Sequence, residues 1–489
     1  MYTPRVPRYW LGIDQGSTAT KACLMDRRGR IRRLVAVPVT TRRPGPGRAE
    51  HDGEALFRSV RAALHRLLRG IDPAGIAAVG LACQRSTFLF WDPESGRPLT
   101  PALSWQDRRG EEICLALSRH EKMIRSRTGL RLSPHYAASK IRWLLDDSPG
   151  LRRKAERGEA RGGTLDAYLL YRLTGGDSWS TDPTHAARTL LMDLGRTDWD
   201  PELLDLFRIP FRALPPIRPG AFPSGEVRVR GTSLRIAATV GDQQAALIGL
   251  GCRKPGEAAV NYGTGAFVIL NTGAKPRRVP GLLTSVAWSS ERDVRYLLEG
   301  TVNAAGSAVQ WIERLAGRRV RSSGRIASPD RLPVVVPAFS GLGAPHWISG
   351  ARAVIAGLDV STGPEELLEG TMAGIACRVA EILATMRRGG LRPRRIVAGG
   401  GLAGRSGLLP LQAALMGRGI ERSLVTEGSC RGAAVLAGHS SGDWDLETDR
   451  RLEFPADPVA PGVPAAEARR LALRFRSART FVASPVGPG

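Results

Sequence analysis

An α/β protein made of two similarly built halves is what this chain of 489 residues predicts. Three observations carry that expectation. The chain is longer than one ordinary hydrophobic core sustains, so two or three domains are expected. Short apolar strands alternate with amphipathic helical stretches throughout, the pattern of a sheet layered with helices. A strand, a glycine turn and a second strand open each half, as "LGIDQGSTATKACLMD" at 11–26 and "EAAVNYGTGAFVILNTG" at 257–273. The division falls near residue 245. It leaves a first domain over 1–245, a second over 246–440, and a C-terminal extension over 441–489 with one helix and a frayed end.

The elements follow in order. After the opening hairpin, "IRRLVAVPV" supplies a further strand. "EALFRSVRAALHRLL" places Leu56, Val60, Leu64 and Leu67 on one helical face, and Asp52 precedes it as an N-cap. "IAAVGLAC" reads as a buried strand. In the second half, "RYLLEGTVNAAGSAVQWI" and "RRIVAGGGLAGRSGLLPLQAALM" are strand–loop–helix units. "PEELLEGTMAGIACRVAEILATM" carries Leu367, Met372, Ile375, Val379 and Ile382 at helical spacing, and its Gly370, Ala373 and Gly374 admit a neighbouring backbone.

Composition narrows the function. Hydrophobic content of 42% with 24% charged residues is that of a soluble globular enzyme. No apolar run approaches the roughly 18 residues of a membrane span, and no signal-peptide core opens the chain. The six cysteines, Cys23, Cys83, Cys114, Cys252, Cys377 and Cys430, lack CxxC spacing, which argues for reduced thiols in a cytoplasmic protein. The net charge of +25 comes almost wholly from arginine scattered along the chain, with no basic block, so nucleic acid is not an expected partner.

The two turns have a common chemical use. Backbone N–H groups converging at a glycine turn make a concave anion site, which nearby hydroxyls extend. Either turn alone is an ordinary hairpin connection. Two of them facing one another, with Asp14 at the end of the first strand, would grip a polyphosphate from both sides. Asp14 would then meet a bridging magnesium ion, through water. The chain contains no GxxxxGK[ST], so a P-loop is excluded. Residues 399–404, "GGGLAG", do satisfy GxGxxG between a strand and a helix, which raises a rival from another class, an NAD-dependent oxidoreductase.

From Tyr9 to Gly438 the sequence resembles the FGGY carbohydrate kinases, and within them the branch that phosphorylates glycerol. The resemblance rests on a series in one order: "DQGSTATK", "EHDGE", "QRST", "WQDRR", "SKIRWLL", "GTLDAYLLYRLTGG", "TDPTHAARTLLMDL", "GDQQAAL", "NYGTGAF", "VVPAFSGLGAPHW" and "GAAVLAG". It implies two ribonuclease H-like domains of the actin-like ATPase fold with the active site in the cleft between them. It also implies transfer of a phosphoryl group from ATP, with Mg2+, to a hydroxyl of a polyol or sugar. Asp242 is then the base that takes the hydroxyl proton, a task that phosphoryl transfer sets beside positioning and charge neutralisation. The nucleotide would be met by Ser17, Thr18, Ala19 and Lys21 in the first domain. In the second it would be met by Gly263, Thr264, Gly265, Gly306, Gln310, Gly400, Gly401 and Arg405. Asp14 would organise the metal. The expected partners are this small molecule and ATP, with neither nucleic acid nor membrane insertion; a homodimer or a homotetramer is open to it.

The acceptor pocket matches the resemblance in part. Arg85, Trp105, Asp242, Gln243 and Phe267 agree with the glycerol-phosphorylating branch, but Ser86 stands in place of a glutamate, and His135, with Tyr136 beside it, in place of a tyrosine. Losing a carboxylate removes a strong partner for a substrate hydroxyl and leaves room. Glycerol is therefore the first expected acceptor, with another polyol or a ketose as the alternative. Lys21 replaces an arginine, exchanging a fork for a point charge. Arg405 replaces an asparagine and could stack on or contact the nucleotide. Gly399 and Ala373 each replace an acid, so a non-catalytic relative is a further, remote alternative.

Overall fold

The computed structural model describes residues 9–320, 331–405 and 407–483. In the first half lie strands β1 (Tyr9–Gln15), β2 (Ala19–Met25), β3 (Ile31–Pro38), β4 (Ile76–Cys83), β5 (Ala221–Val229) and β6 (Thr232–Gly241). They form one sheet in the order β5-β6-β4-β1-β2-β3. The first three make an antiparallel meander, β4 runs parallel to both β1 and β6, and β5 closes the far edge antiparallel to β6. Along edge strand β3 half-buried and exposed residues alternate, as one solvated face requires. Central β4 is buried at seven of its eight positions, the mark of a strand covered on both faces.

The second sheet repeats this plan. Its strands are β7 (Glu257–Tyr262), β8 (Ala266–Gly273), β9 (Leu283–Ser289), β10 (Val294–Val302), β11 (Arg395–Gly399), β12 (Ile420–Ser423) and β13 (Ala456–Val459), in the order β9-β10-β8-β7-β11-β12-β13. Again antiparallel strands lead, here four with β10 between β8 and β9, then two parallel pairings follow, and an antiparallel edge strand ends the sheet. The segment after residue 440 thus supplies β13, which takes in this sheet the place that β5 holds in the first. Its helix packs into the second core through Leu471 and Phe475. The frayed end expected there falls on residues 484–489, outside the described residues.

Helices pack around these sheets: α1 (Gly53–Leu67), α2 (Ala137–Asp147), α3 (Asp242–Gly249), α4 (Gly306–Leu315), α5 (Pro364–Arg388), α6 (Leu408–Met416), α7 (Gly428–Ser440) and α8 (Ala465–Ala483). Asp52 caps α1 by accepting from the N–H groups of Glu54 and Ala55, and Leu56, Val60, Leu64 and Leu67 are buried beneath it. On α5, Met372, Ile375, Val379 and Ile382 are buried. A Cβ at Gly374 would lie 1.9 Å from the Val335 carbonyl oxygen, so only glycine allows that approach.

Helix α7 locks the halves together. A Cβ at Gly12 would sit 1.9 Å from the Cys430 oxygen and one at Gly80 2.0 Å from that of Ala433. Where α7 meets α3, a Cβ at Gly249 would sit 1.9 Å from the Gly428 oxygen and one at Gly432 1.8 Å from that of Ala245. A helix from late in the chain therefore lies directly on strands β1 and β4 and beside α3, the helix whose first residue is Asp242. Among the described residues no helix is long and apolar enough to cross a membrane, and all six cysteines are buried and unbridged.

Candidate active site

The first hairpin is closed by a Gly16 N–H to Ala19 oxygen bond of 3.0 Å, which leaves Ser17, Thr18 and Ala19 at its tip. Thr18 is exposed, Ser17 and Ala19 half-buried. Asp14, at the end of β1, has an Oδ1 that is shielded from solvent and has no hydrogen-bond partner among the described residues. Burial, reinforced by the nearby charges of Asp242 and Glu427 and opposed by Lys21, pushes its carboxyl up to about 7. Lys21 points into the same region, 2.7 Å from Glu427 Oε2 just before α7. Burial works against the charge on Lys21, yet the hydrogen bond and charge of Glu427, with Asp14 adding to them, raise its affinity for the proton above the ordinary lysine value.

The second hairpin is built the same way, with a Gly263 N–H to Gly265 oxygen bond of 2.8 Å. The start of α4 is tied to it: Ala305 and Gly306 donate to the oxygens of Thr264 and Gly263, each at 2.9 Å. A Cβ at Gly306 would lie 2.7 Å from the Gly263 oxygen, so glycine is required for this contact. The loop after β11 meets the same hairpin from the other side. Gly400 has φ +92°, and a Cβ there would reach 2.5 Å from the Tyr262 oxygen. Gly263, Thr264, Gly265, Gly306, Gly400 and Gly401 thus share one corner of the second half, with Gln310 exposed on α4. Arg405 has protein partners of its own. Its Nη2 lies 2.7 Å from Glu313 Oε1 on α4, and its Nη1 donates to the Val320 oxygen at 3.1 Å. These contacts fix the guanidinium between α4 and the segment that follows it.

Asp242 stands at the start of α3, close enough to Asp14 to raise its proton affinity. Its Oδ1 accepts from the Gln243 N–H at 2.8 Å and lies 3.2 Å from Arg85 Nε. Gln243 in turn accepts from Asn261 Nδ2 of β7 at 3.3 Å. The backbone before the acid is pinned: Gly241 N–H donates to Thr184 Oγ1 at 2.7 Å, and that hydroxyl donates to Asp182 Oδ1 at 2.5 Å. His185 sits between two buried carboxylates, 2.6 Å from Asp182 and 3.5 Å from Asp166. Burial opposes its protonation, but those carboxylates prevail and push the imidazole up to about 9. Behind Asp242, therefore, stands a buried imidazolium clamped by two acids.

A chain of contacts leads from Asp242 through the residues expected to line the acceptor pocket. Arg85 Nη1 donates to Glu299 Oε2 at 2.8 Å and to Gln244 Oε1 at 3.2 Å. Arg188 Nη2 reaches the other oxygen of Glu299 at 3.2 Å, and its guanidinium lies 5.1 Å from the Tyr136 ring centroid. His135 follows, 5.2 Å from Tyr136 and 5.4 Å from Trp105 between ring centroids. Burial and then the charges of Arg188, Lys140 and Arg85 hold His135 well below its ordinary pKa, so it is neutral at physiological pH. Ser86 is buried, with φ +65°, and its hydroxyl donates to the Arg188 carbonyl at 3.2 Å. Phe267, half-buried on β8, pairs in register with Asn261.

Two family descriptions match this chain: "FGGY family of carbohydrate kinases, N-terminal domain" over residues 9–249, and "FGGY family of carbohydrate kinases, C-terminal domain" over residues 258–441. The chain belongs to the FGGY family of carbohydrate kinases. A glycerol kinase from Geobacter sp. (strain M21) is 40% identical over 465 residues, which span 91% of this chain and 94% of that one. The crystal structure of Plasmodium falciparum glycerol kinase with ADP superposes with a TM-score of 0.87 at 27% identity, covering 98% of this chain and 99% of that one. The ligand-bound xylulose kinase from Lactobacillus acidophilus gives 0.86 at 23% identity, over 98% and 99% of the two chains, which speaks to fold alone. This is the two-domain, ribonuclease H-like architecture of the actin-like ATPases. Membership removes the oxidoreductase rival: the glycine run at 399–404 serves this kinase fold as the turn beside the second hairpin. Glu299, Arg188, Gln244 and Glu427 were not singled out from the sequence. Glu299 and Arg188 lie inside the strings "RYLLEGTV" and "TDPTHAARTLLMDL", and no local feature of either string marks its charge as buried.

Proposed function

We propose that the protein transfers the γ-phosphoryl group of ATP to a hydroxyl of glycerol, with Asp242 as the base. The observation that carries this is the position of Asp242: the N-terminus of α3, within 3.2 Å of Arg85, with Asp14 close enough to feel its charge. On this reading the first half supplies the acceptor wall of Arg85, Ser86, Trp105, His135 and Tyr136. The second contributes Phe267, and its corner at Gly263, Thr264, Gly265, Gly306, Gly400 and Gly401 receives the nucleotide, with Gln310 beside it. Ser17, Thr18, Ala19 and Lys21 meet the terminal phosphates from the first half.

A magnesium ion fits Asp14. An orphaned carboxylate oxygen, buried and with its proton affinity raised this far, is relieved by a divalent cation, and carboxylate oxygen suits that metal. Such an ion neutralises phosphate charge when bound. The protein's own groups do the rest. Arg85 orients the Asp242 carboxylate, Gln243 holds a neighbouring substrate hydroxyl, and Asp242 takes the proton as the acceptor oxygen attacks. The clamped Asp182–Thr184–Gly241 path holds the base in place. The reduced, buried cysteines and the use of ATP suit a cytoplasmic enzyme.

A second acceptor class, a longer polyol or a ketose, is favoured by Ser86 and His135, which leave the wall without the glutamate and tyrosine of the glycerol-phosphorylating branch. An ATP-coupled screen of glycerol, erythritol, pentitols and ketopentoses ranks the two. Asp242→Asn is expected to abolish transfer to every acceptor while leaving ATP affinity intact; turnover in that variant would remove Asp242 as base.

A further inference from the structure

Glu299 lies on β10 of the second half and is fully buried. It stands between two guanidinium groups from the first half, one of its oxygens on Arg85 and the other on Arg188. Arg85 is therefore shared. Its Nη1 faces Glu299 at 2.8 Å while its Nε faces Asp242 at 3.2 Å, the longer of the two contacts. Arg188 has Nε and Nη1 buried without a partner among the described residues, so Glu299 is the carboxylate that fixes it. The glutamate that resemblance would place at position 86 is a serine here, turned onto the Arg188 backbone. Two buried cations are thus balanced by two carboxylates, one of them Asp242. The ionised state of Glu299 is secure: burial opposes it, but Arg188 and Arg85 hold its carboxyl down to about 2.

We propose that Glu299 is a positioning residue for phosphoryl transfer, holding Arg85 away from full engagement with Asp242 and so keeping that base free to accept a proton. Without the Glu299 charge, Arg85 swings wholly onto Asp242, forks its carboxylate and competes with the substrate hydroxyl for it. A charged pair that spans the two halves then sets the strength of the base. The inference rests on Asp242 being the base.

The test compares Glu299→Gln and Glu299→Asp with wild type, each as the full chain, using the best acceptor from the screen at saturation. Glu299→Gln is isosteric and keeps an oxygen for one arginine. It is expected to lower kcat about tenfold or more while the dissociation constant for ATP stays within about twofold. Glu299→Asp restores the charge one methylene short and is expected to regain several-fold of the lost kcat. The inference is overturned if Glu299→Gln keeps wild-type kcat, if Glu299→Asp is no faster than Glu299→Gln, or if ATP affinity falls in step with kcat. If Glu299→Gln does not fold, Glu299→Asp decides alone: kcat reduced with ATP affinity intact supports the inference, and unchanged kcat overturns it. A wild-type protein inactive on every acceptor, or an active Asp242→Asn, sinks the assignment of the base itself.

Discussion

Replacing Asp14 by asparagine should make the metal-free protein more stable, by an amount that depends on pH. In the folded chain the Asp14 carboxyl is raised from 3.8 to about 7, chiefly by burial and then by the charge of Asp242. The folded state therefore holds a proton that the unfolded chain releases, so the slope of stability with pH is negative wherever only the unfolded chain is ionised. That window runs from about pH 4 to about pH 7. Across roughly three pH units, at about 1.4 kcal/mol for each, the ceiling is about 4 kcal/mol. Asparagine carries no charge and lacks this slope. The stability difference, variant minus wild type, should thus be near zero at pH 4, rise steadily to pH 7, and then level off. Denaturant unfolding at four or five pH values measures it. Adding magnesium with nucleotide should narrow the difference at pH 7.5 by stabilising the wild type more than the variant, and phosphoryl transfer by the variant should be lost. A difference that is flat across pH would show that Asp14 is not held in a costly charged state, and the case for a cation beside it would fall.

Three further outcomes follow from the same geometry. Ser86→Glu should shift acceptor preference toward glycerol over larger acceptors by about tenfold in kcat/KM ratio; an unchanged ranking in the screen would remove position 86 from the pocket wall. His185, raised to about 9 between Asp166 and Asp182, contributes stability that is fully present below about pH 6.5 and lost as pH climbs through 9. Wild type should therefore lose stability on this account between pH 6.5 and 9, with a ceiling of about 3 kcal/mol, and His185→Gln should lack that slope in the same unfolding series. Gly432→Ala forces a Cβ to within 1.8 Å of the Ala245 oxygen, so α7 must lift off α3. A loss of about 2–4 kcal/mol is expected from chemical denaturation, and a loss under about 0.5 kcal/mol would contradict the packing.

What the sequence made legible was local. The hairpins at 11–26 and 257–273, the helical face of Leu56, Val60, Leu64 and Leu67, and the glycines of α5 each announce themselves within a few turns or one strand pair. Period and turn chemistry decide such features, and neighbours in sequence are neighbours in space. The family motifs placed Asp242, Arg85 and both glycine turns for the same reason. Partnerships across the chain were not legible. Arg85 and Glu299 are 214 residues apart, and Lys21 and Glu427 are 406 apart. Nothing in "RYLLEGTV" distinguishes a carboxylate that will be buried between arginines from one at an exposed strand position. Arg405 shows the same limit: its place beside the glycine loop was readable, its capture by Glu313 of α4 was not. Strand β13 was missed because "ADPV" has no alternation and contains Pro458, which suits only an edge.

Three of the unseen partnerships share one property: each ties a charged group or backbone of the first half to the second. Lys21 beside the first hairpin is held by Glu427, Arg85 by Glu299, and the Asp242 carbonyl accepts from Ser429 Oγ at 2.9 Å. The close backbone contacts of α7 with β1, β4 and α3 run along the same boundary. A displacement of one half against the other would uncover charges in a poorly solvated site, where an unpaired ion is costly. The backbone contacts resist sliding because they are already at the limit that glycine permits. Shape complementarity along α7 and charge balance around Asp242 therefore constrain the same degree of freedom. The placement of the halves and the charge balance at Asp242 are therefore coupled in this chain, because Glu299 belongs to one half and Asp242, with which it shares Arg85, to the other.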